Sequence, residues 1–229
     1  MKASKLTALL FMKKHSERVP NKNLRCFCGK PLFFWIFSTI SKCSLIDKVI
    51  LNTDSEEIAK EVSKHFDVII HMRPDYLNSI TENEANQIIE YDILKTDSNY
   101  FLQTHSTNPL LKYSTIENAI KLFFKTMGEK KCDSLFSVTS LKQRLYWKNG
   151  NPINHDLNNL IKTQELQEVM VENSCIYIFS KSSFIKNRNR IGNKPLLYPI
   201  EENEAIDIDT LYDFNLAELV MKNMGVFDE

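Results

Sequence analysis

Residues 6–23 read Leu6-Thr7-Ala8-Leu9-Leu10-Phe11-Met12-Lys13-Lys14-His15-Ser16-Glu17-Arg18-Val19-Pro20-Asn21-Lys22-Asn23. The first seven are a near-continuous apolar run, the pattern of a strand buried on both faces. The next eleven hold four cations, a hydroxyl, two amides and a proline, so the chain leaves the strand into a charged loop. Pro31 then opens a long apolar helical stretch to Cys43, since proline suits the start of a helix.

The same order recurs outward from this unit. Asp47–Asn52 reads as a second strand, and Ser55 caps a helix to about His65 with Glu56 and Glu57 in its first turn. A third strand is expected at Asp67–Ile70, a helix at Asn83–Thr96, a fourth strand at Asn99–Gln103, a helix at Tyr113–Met127 and a fifth strand at Asp133–Val138. Ser174–Phe179 and Leu196–Ile200 read as further short strands before a closing helix at Thr210–Asn223. Alternating apolar strands and helices predict an α/β fold with a mostly parallel, doubly wound sheet covered on both faces. No linker or internal repeat divides the chain, so residues 1–229 are read as a single domain. Periodicity is weak over about 140–172, where Asn, Gly150 and Pro152 cluster, and this stretch is expected to be an arm, lid or dimerisation insert.

Composition narrows the functional classes. The 229 residues are 43% hydrophobic and 25% charged, which excludes disorder, collagen and coiled coil. Lys+Arg and Asp+Glu number 29 each, giving zero formal net charge and no global field for nucleic acid or a membrane surface. No apolar run approaches the ~20 residues needed to cross a bilayer, and no signal peptide is expected. Five scattered cysteines argue against a disulfide framework and for a reducing cytoplasm.

Any anion site must therefore be local, and the charged loop is the candidate. Loop amides flanked by Lys13, Arg18 and Lys22 can cradle a polyphosphate. The P-loop and dinucleotide glycine patterns are absent. Asp207-Ile208-Asp209 precedes the last helix, and in an extended segment residues two apart put both carboxylates on one side. Two hard oxygen ligands suit Mg2+, although Asp209 could also serve as a helix cap. Asp54 could orient the phosphate loop or cap the helix that starts at Ser55. The five histidines show no metal spacing, but His15 and His105 lie on the two candidate loops. Trp35, Phe33, Phe34 and Phe37 are expected to pack in the core.

Ser16-x-Arg18-x-Pro20-x-Lys22-Asn23 followed by Gly29-Lys30-Pro31-Leu32 resembles the opening of cytidylyltransferases that activate acidic sugars. The resemblance is closest to CMP-N-acetylneuraminate synthetases and their legionaminic and pseudaminic acid relatives, and Kdo cytidylyltransferases share a similar opening. It continues through Asn52-Thr53-Asp54, Arg73-Pro74, Leu102-Gln103 with Asn108-Pro109-Leu110, Asn173 with Ile176-Tyr177-Ile178, and Ile206-Asp207-Ile208-Asp209-Thr210. These landmarks span nearly the whole chain in the family's order.

The resemblance implies a Rossmann-like nucleotidyltransferase sheet and transfer of CMP from CTP to a nonulosonic acid, with pyrophosphate released. It implies that Lys22, Lys13 and Arg18 hold the triphosphate, that Ser16, Asn23 and Arg73 contact the nucleotide, and that Gln103 and Gln164 meet the acceptor. Asp207 and Asp209 would hold Mg2+, and the 140–172 arm would pair two copies as a homodimer. The chain departs from the family at Lys13 and Glu17, in the longer turn Thr104-His105-Ser106-Thr107-Asn108-Pro109, and at Leu111 and Thr163. Two alternatives stay open: a Kdo, phosphate or phosphonate acceptor on the same fold, and a catalytically inactive nucleotide-binding relative.

Overall fold

Alternate residues of β1 (Leu6–Met12) divide between two cores. Leu6, Ala8, Leu10 and Met12 pack with Phe33, Phe37, Ile120 and Phe123 on one side, while Leu9 packs with Ile89, Ile93 and Phe184 on the other. This is the period-two burial of a strand covered on both faces. The computed structural model describes residues 5–79 and 83–225.

After β1 come a small hairpin, β2 (Cys26–Phe27) and β3 (Lys30–Pro31), then α1 (Leu32–Ser41), β4 (Ile46–Thr53), α2 (Glu56–Ser63) and β5 (Ile69–Met72). The chain continues through α3 (Asp75–Asn78), α4 (Glu84–Leu94), β6 (Tyr100–Thr104), α5 (Tyr113–Gly128) and β7 (Ser134–Leu141). A 3-10 turn (Thr163–Glu165), β8 (Val169–Ser180), α6 (Lys181–Asn187), β9 (Pro195–Pro199) and α7 (Leu211–Asn223) complete it. The main sheet has seven strands in the order β5-β4-β1-β6-β8-β7-β9. β8 runs antiparallel to both neighbours, and every other pairing is parallel.

The mostly parallel α/β sheet is as expected from the sequence. Ser55 accepts from the Ile58 amide and caps α2 as expected, and Thr210 caps α7 in a reciprocal box with Asp213. Phe33 and Phe37 are core residues, and the Trp35 indole donates to the Phe27 carbonyl at 2.9 Å. The third strand begins two residues later than expected, because β5 is an edge strand whose exposed Ile69 and Met72 leave apolarity a poor guide to its ends. The loosened segment is shorter than 140–172: β7 and β8 pair out to Leu141 and Val169, leaving only 142–168 irregular. Among the described residues no helix is long and apolar enough to cross a membrane.

Because Leu10 is fully buried at the centre of the larger core, Leu10→Ala should cost about 2–5 kcal/mol. A clear fall in the urea midpoint, with the slope unchanged, checks this.

Candidate active site

The carboxyl ends of β1, β4 and β6 lie side by side at one edge of the sheet, and the cleft outside such an edge is the usual ligand position in an open parallel sheet. The charged loop after β1 is pinned at several points. Val19 is buried with Phe27, Leu32, Ile208 and Phe214, which plugs the loop into a small apolar core. Asn23 is buried, its amide nitrogen donating to the Lys13 carbonyl at 3.1 Å and its oxygen accepting from the Ser106 hydroxyl at 2.6 Å. Asp54 accepts from the Lys14 backbone amide at 2.6 Å, so it orients the loop while Ser55 does the capping. Ser16 is half-buried on the loop.

The loop's cations rest on carboxylates from elsewhere. Lys13 Nζ lies 2.6 Å from Glu84, and Arg18 and Lys22 lie 3.0 and 3.7 Å from Asp209. Lys22 also donates to the Ile208 carbonyl at 2.7 Å, and the Ile208 amide donates to the Thr107 carbonyl at 2.9 Å. Ile208 is fully buried, whereas Asp207 and Asp209 keep solvent-facing surface, the one-sided placement expected of residues two apart. The Asp209 carboxylate does not cap α7, since Thr210 and Asp213 fill that role.

Partial desolvation raises the Asp207 pKa, a Thr107 hydrogen bond opposes this, neighbouring Asp209 adds to it and Lys22 opposes it. A cation beside this pair would relieve both effects. No group of three or more His, Cys, Asp and Glu suited to a metal occurs among the described residues. Two carboxylates with phosphate and water completing the shell is a common arrangement for Mg2+, so the residues fit that ion.

Arg73 reaches the site from beneath. Its side chain is fully buried, Nε donates to Asn52 Oδ1 at 2.8 Å, and Nη1 has no hydrogen-bond partner in this structure. Asn52 donates in turn to Asp92 Oδ1 at 2.8 Å, on which the His71 ring also rests at 2.7 Å. Desolvation lowers the Arg73 pKa, with Asp54, Glu84 and Asp92 opposing it. The sequence marks Arg73 but not its support from Asp92 and Glu84, because those carboxylates sit in an otherwise ordinary helix, α4.

Gln103 is fully buried at the end of β6 and both ends of its amide are engaged. Its oxygen accepts from Arg190 Nη1 at 2.7 Å, and its nitrogen lies 2.7 Å from His105 Nε2. The surface it offers the cleft is thus that of Arg190 and His105. Arg190 lies 3.7 Å over the Tyr177 ring, and the Tyr177 hydroxyl donates to Glu172 and accepts from the Ser174 hydroxyl. Sequence reading missed Arg190, Tyr177 and Glu172, since an arginine in an Asn-Arg-Asn-Arg turn carries no local signal. Gln164 is exposed on the arm and makes no hydrogen bond to Gln103 or the phosphate loop within the chain. Val169, where the arm rejoins the sheet, pairs with Leu141, five residues along β7 from Phe136, the partner of Tyr177 opposite Gln103, or about 17 Å of strand.

A family model described as cytidylyltransferase matches residues 7–227. The chain belongs to the cytidylyltransferase family. It is 24% identical over 234 residues to N-acylneuraminate cytidylyltransferase A of Danio rerio, covering 99% of this chain and 53% of that protein. The chain thus spans about half the length of that relative. It is 25% identical over 233 residues to CMP-N,N'-diacetyllegionaminic acid synthase of Legionella pneumophila, covering 95% of this chain and 97% of that one. A solved structure of CMP:2-keto-3-deoxy-manno-octonic acid synthetase complexed with CTP shares the fold, with a TM-score of 0.69 at 11% identity over 96% of this chain and all of that one.

Burial, with Arg190 and Lys22 adding to it, pushes the His105 pKa down to about 4. The unfolded chain, with a histidine value near 6.5, then binds more protons than the folded one between those limits. Stability should therefore fall as pH drops from about 6.5 toward about 4, and His105→Gln should flatten that slope. Urea unfolding of both proteins at pH 7 and pH 5 checks it.

Proposed function

We propose that the protein transfers CMP from CTP to a nonulosonic, sialic-acid-like sugar and releases pyrophosphate. The observation that carries this reading is the sharing of Asp209 by Arg18 and Lys22 across the cleft. A triphosphate arriving at the loop would draw both cations away and leave two carboxylates, Asp207 and Asp209, beside a polyanion. That arrangement needs a divalent cation and matches nucleotidyl transfer. The acceptor class is supported by the sialic and legionaminic acid enzymes among the relatives.

In this reading Lys13, Arg18 and Lys22 hold the triphosphate, with Ser16 and loop amides as hydrogen-bond donors. Asn23 and Arg73 shape the nucleotide end. Asn23 does so by tying the phosphate loop to Ser106, and Arg73 by a buried nitrogen that has no hydrogen bond and only Glu84, at 3.9 Å, as its ion-pair partner. The acceptor hydroxyl attacks the α-phosphorus and its proton passes to solvent, the bond from the α-phosphorus to the oxygen bridging the β-phosphate breaks, and pyrophosphate departs with that oxygen, its charge neutralised by the loop cations. Mg2+ held by Asp207 and Asp209 would supply further charge neutralisation at the phosphates.

The arm supports a homodimer. Tyr146, Trp147, Leu157 and Leu160 are 51–80% exposed on it, an apolar group of the kind that a second copy covers. Gln164 would then line the partner's acceptor pocket rather than its own. Five free cysteines, four of them buried, suit a reducing cytoplasm.

Pyrophosphate release is the deciding assay, run with Mg2+, CTP and a panel of N-acetylneuraminic, legionaminic and pseudaminic acids, Kdo and a phosphonate. Turnover is expected with a nonulosonic acid; turnover with Kdo or the phosphonate alone would reassign the acceptor, and silence with CTP still binding would favour an inactive relative. Asp209→Ala should lower the rate at least about 100-fold while the melting temperature holds. Light scattering should give twice the 26.7 kDa chain mass, and Trp147→Asp with Leu160→Asp should shift it toward one chain.

A further inference from the structure

We infer that Arg190 is the residue that anchors the acceptor's carboxylate, with Gln103 acting as its positioning residue rather than as the primary acceptor contact. The inference rests on the reaction proposed above and deepens it.

Arg190 is a buried cation without a full counter-charge. Its side chain is only 17% exposed, it donates to the neutral Gln103 oxygen at 2.7 Å, and its face lies on the ring of Tyr177, whose hydroxyl is its other hydrogen-bond partner. Glu172 is the carboxylate that faces it, but it stands 4.0 Å from Nη2 and is engaged by the Tyr177 hydroxyl. Desolvation accordingly lowers the Arg190 pKa, with Tyr177 and Glu172 opposing. A guanidinium so placed gains from a bidentate carboxylate far more than a solvated lysine would.

Its backbone is fixed as firmly as its head. The Arg190 amide donates to Asn86 on α4 at 3.2 Å. Two residues on, the Gly192 amide donates to Ser134 at 2.9 Å, and Asp133 accepts from the Asn193 and Lys194 amides at 2.9 Å each. A Cβ on Gly192 would stand 2.2 Å from Asp133 Oδ1, so this close approach of backbone to carboxylate requires glycine. The turn is built to hold one orientation.

Its place in the cleft suits the chemistry. The Gln103 amide joins the Arg190 guanidinium on one end to the His105 ring on the other, at 2.7 Å each, and His105 belongs to the loop that follows β6. A 2-keto sugar acid carries its carboxylate on the same carbon as the hydroxyl that attacks phosphorus. Holding that carboxylate at Arg190 directs the hydroxyl toward the triphosphate, and neutral His105 adds no charge that would compete.

The test compares steady-state turnover of wild type, Arg190→Met and Arg190→Lys with the acid that the panel identifies and with its C1 carboxamide. Arg190→Met should raise the KM for the acid about 30-fold or more, leave the KM for CTP unchanged, and abolish the preference for acid over amide. Arg190→Lys keeps the charge but not the fork and should recover part of that preference, which a purely structural role would not predict. Should Arg190→Met fail to fold, the lysine variant and the amide comparison in wild type decide alone: equal KM for acid and amide in wild type, or an unaltered preference in the lysine variant, overturns the assignment. An unchanged acid KM in folded Arg190→Met overturns it while leaving the reaction standing. Wild-type silence toward every acid overturns the reaction and this assignment together.

Discussion

Like charges on one short loop repel, and the cleft is organised around relieving that repulsion without ligand. Lys13, Lys14, Arg18 and Lys22 share eleven residues. Three of them rest on carboxylates brought from α4 and from the segment before α7, and the loop backbone is held by Asp54 at the end of β4. Surface ion pairs of this kind contribute little to stability, so they are readily exchanged for a more highly charged partner. The loop is thus anchored in place by apolar and neutral contacts, Val19 and Asn23, while its cations remain available.

The two halves of the cleft use charge differently. On the β1 loop Lys13 and Arg18 are exposed, Lys22 is mostly covered, and each of the three is paired with a carboxylate. Beside the end of β6 the Arg190 guanidinium is mostly covered, stacked on Tyr177 and held by a neutral amide. Burial makes that cation costly to leave unmatched and therefore selective for an anion of the right shape. The Asp92 network below the cleft, through Asn52 and His71, keeps Arg73 in a third setting, buried and rigid.

Much of the fold was legible because its signals are local. The apolar runs of β1, β4 and β6, the Ser55 cap and the spacing of Ile116, Ala119, Ile120 and Phe123 in α5 follow from periodicity and capping chemistry, whereas the last helix is capped by Thr210 and not by Asp209, the candidate the sequence offers. The reversal of β8 was not legible, since its buried half, Cys175–Phe179, has the same apolar composition as a parallel strand. Short α3 and α6 and the β2–β3 hairpin were missed for want of length.

The site divides on the same line. Sequence by itself determined the cationic loop after β1 and the Asp207–Asp209 pair, because each is a cluster of like groups within a few residues. Only the tertiary structure decided what those groups face. Asp209 meets Arg18 and Lys22 across 187 or more residues of chain, Gln103 is withdrawn behind Arg190, and Asn23 braces Ser106 rather than standing open. Charge and hydrogen-bonding capacity are properties of residue type, but which partner satisfies them is set by how the strands and their loops are brought together.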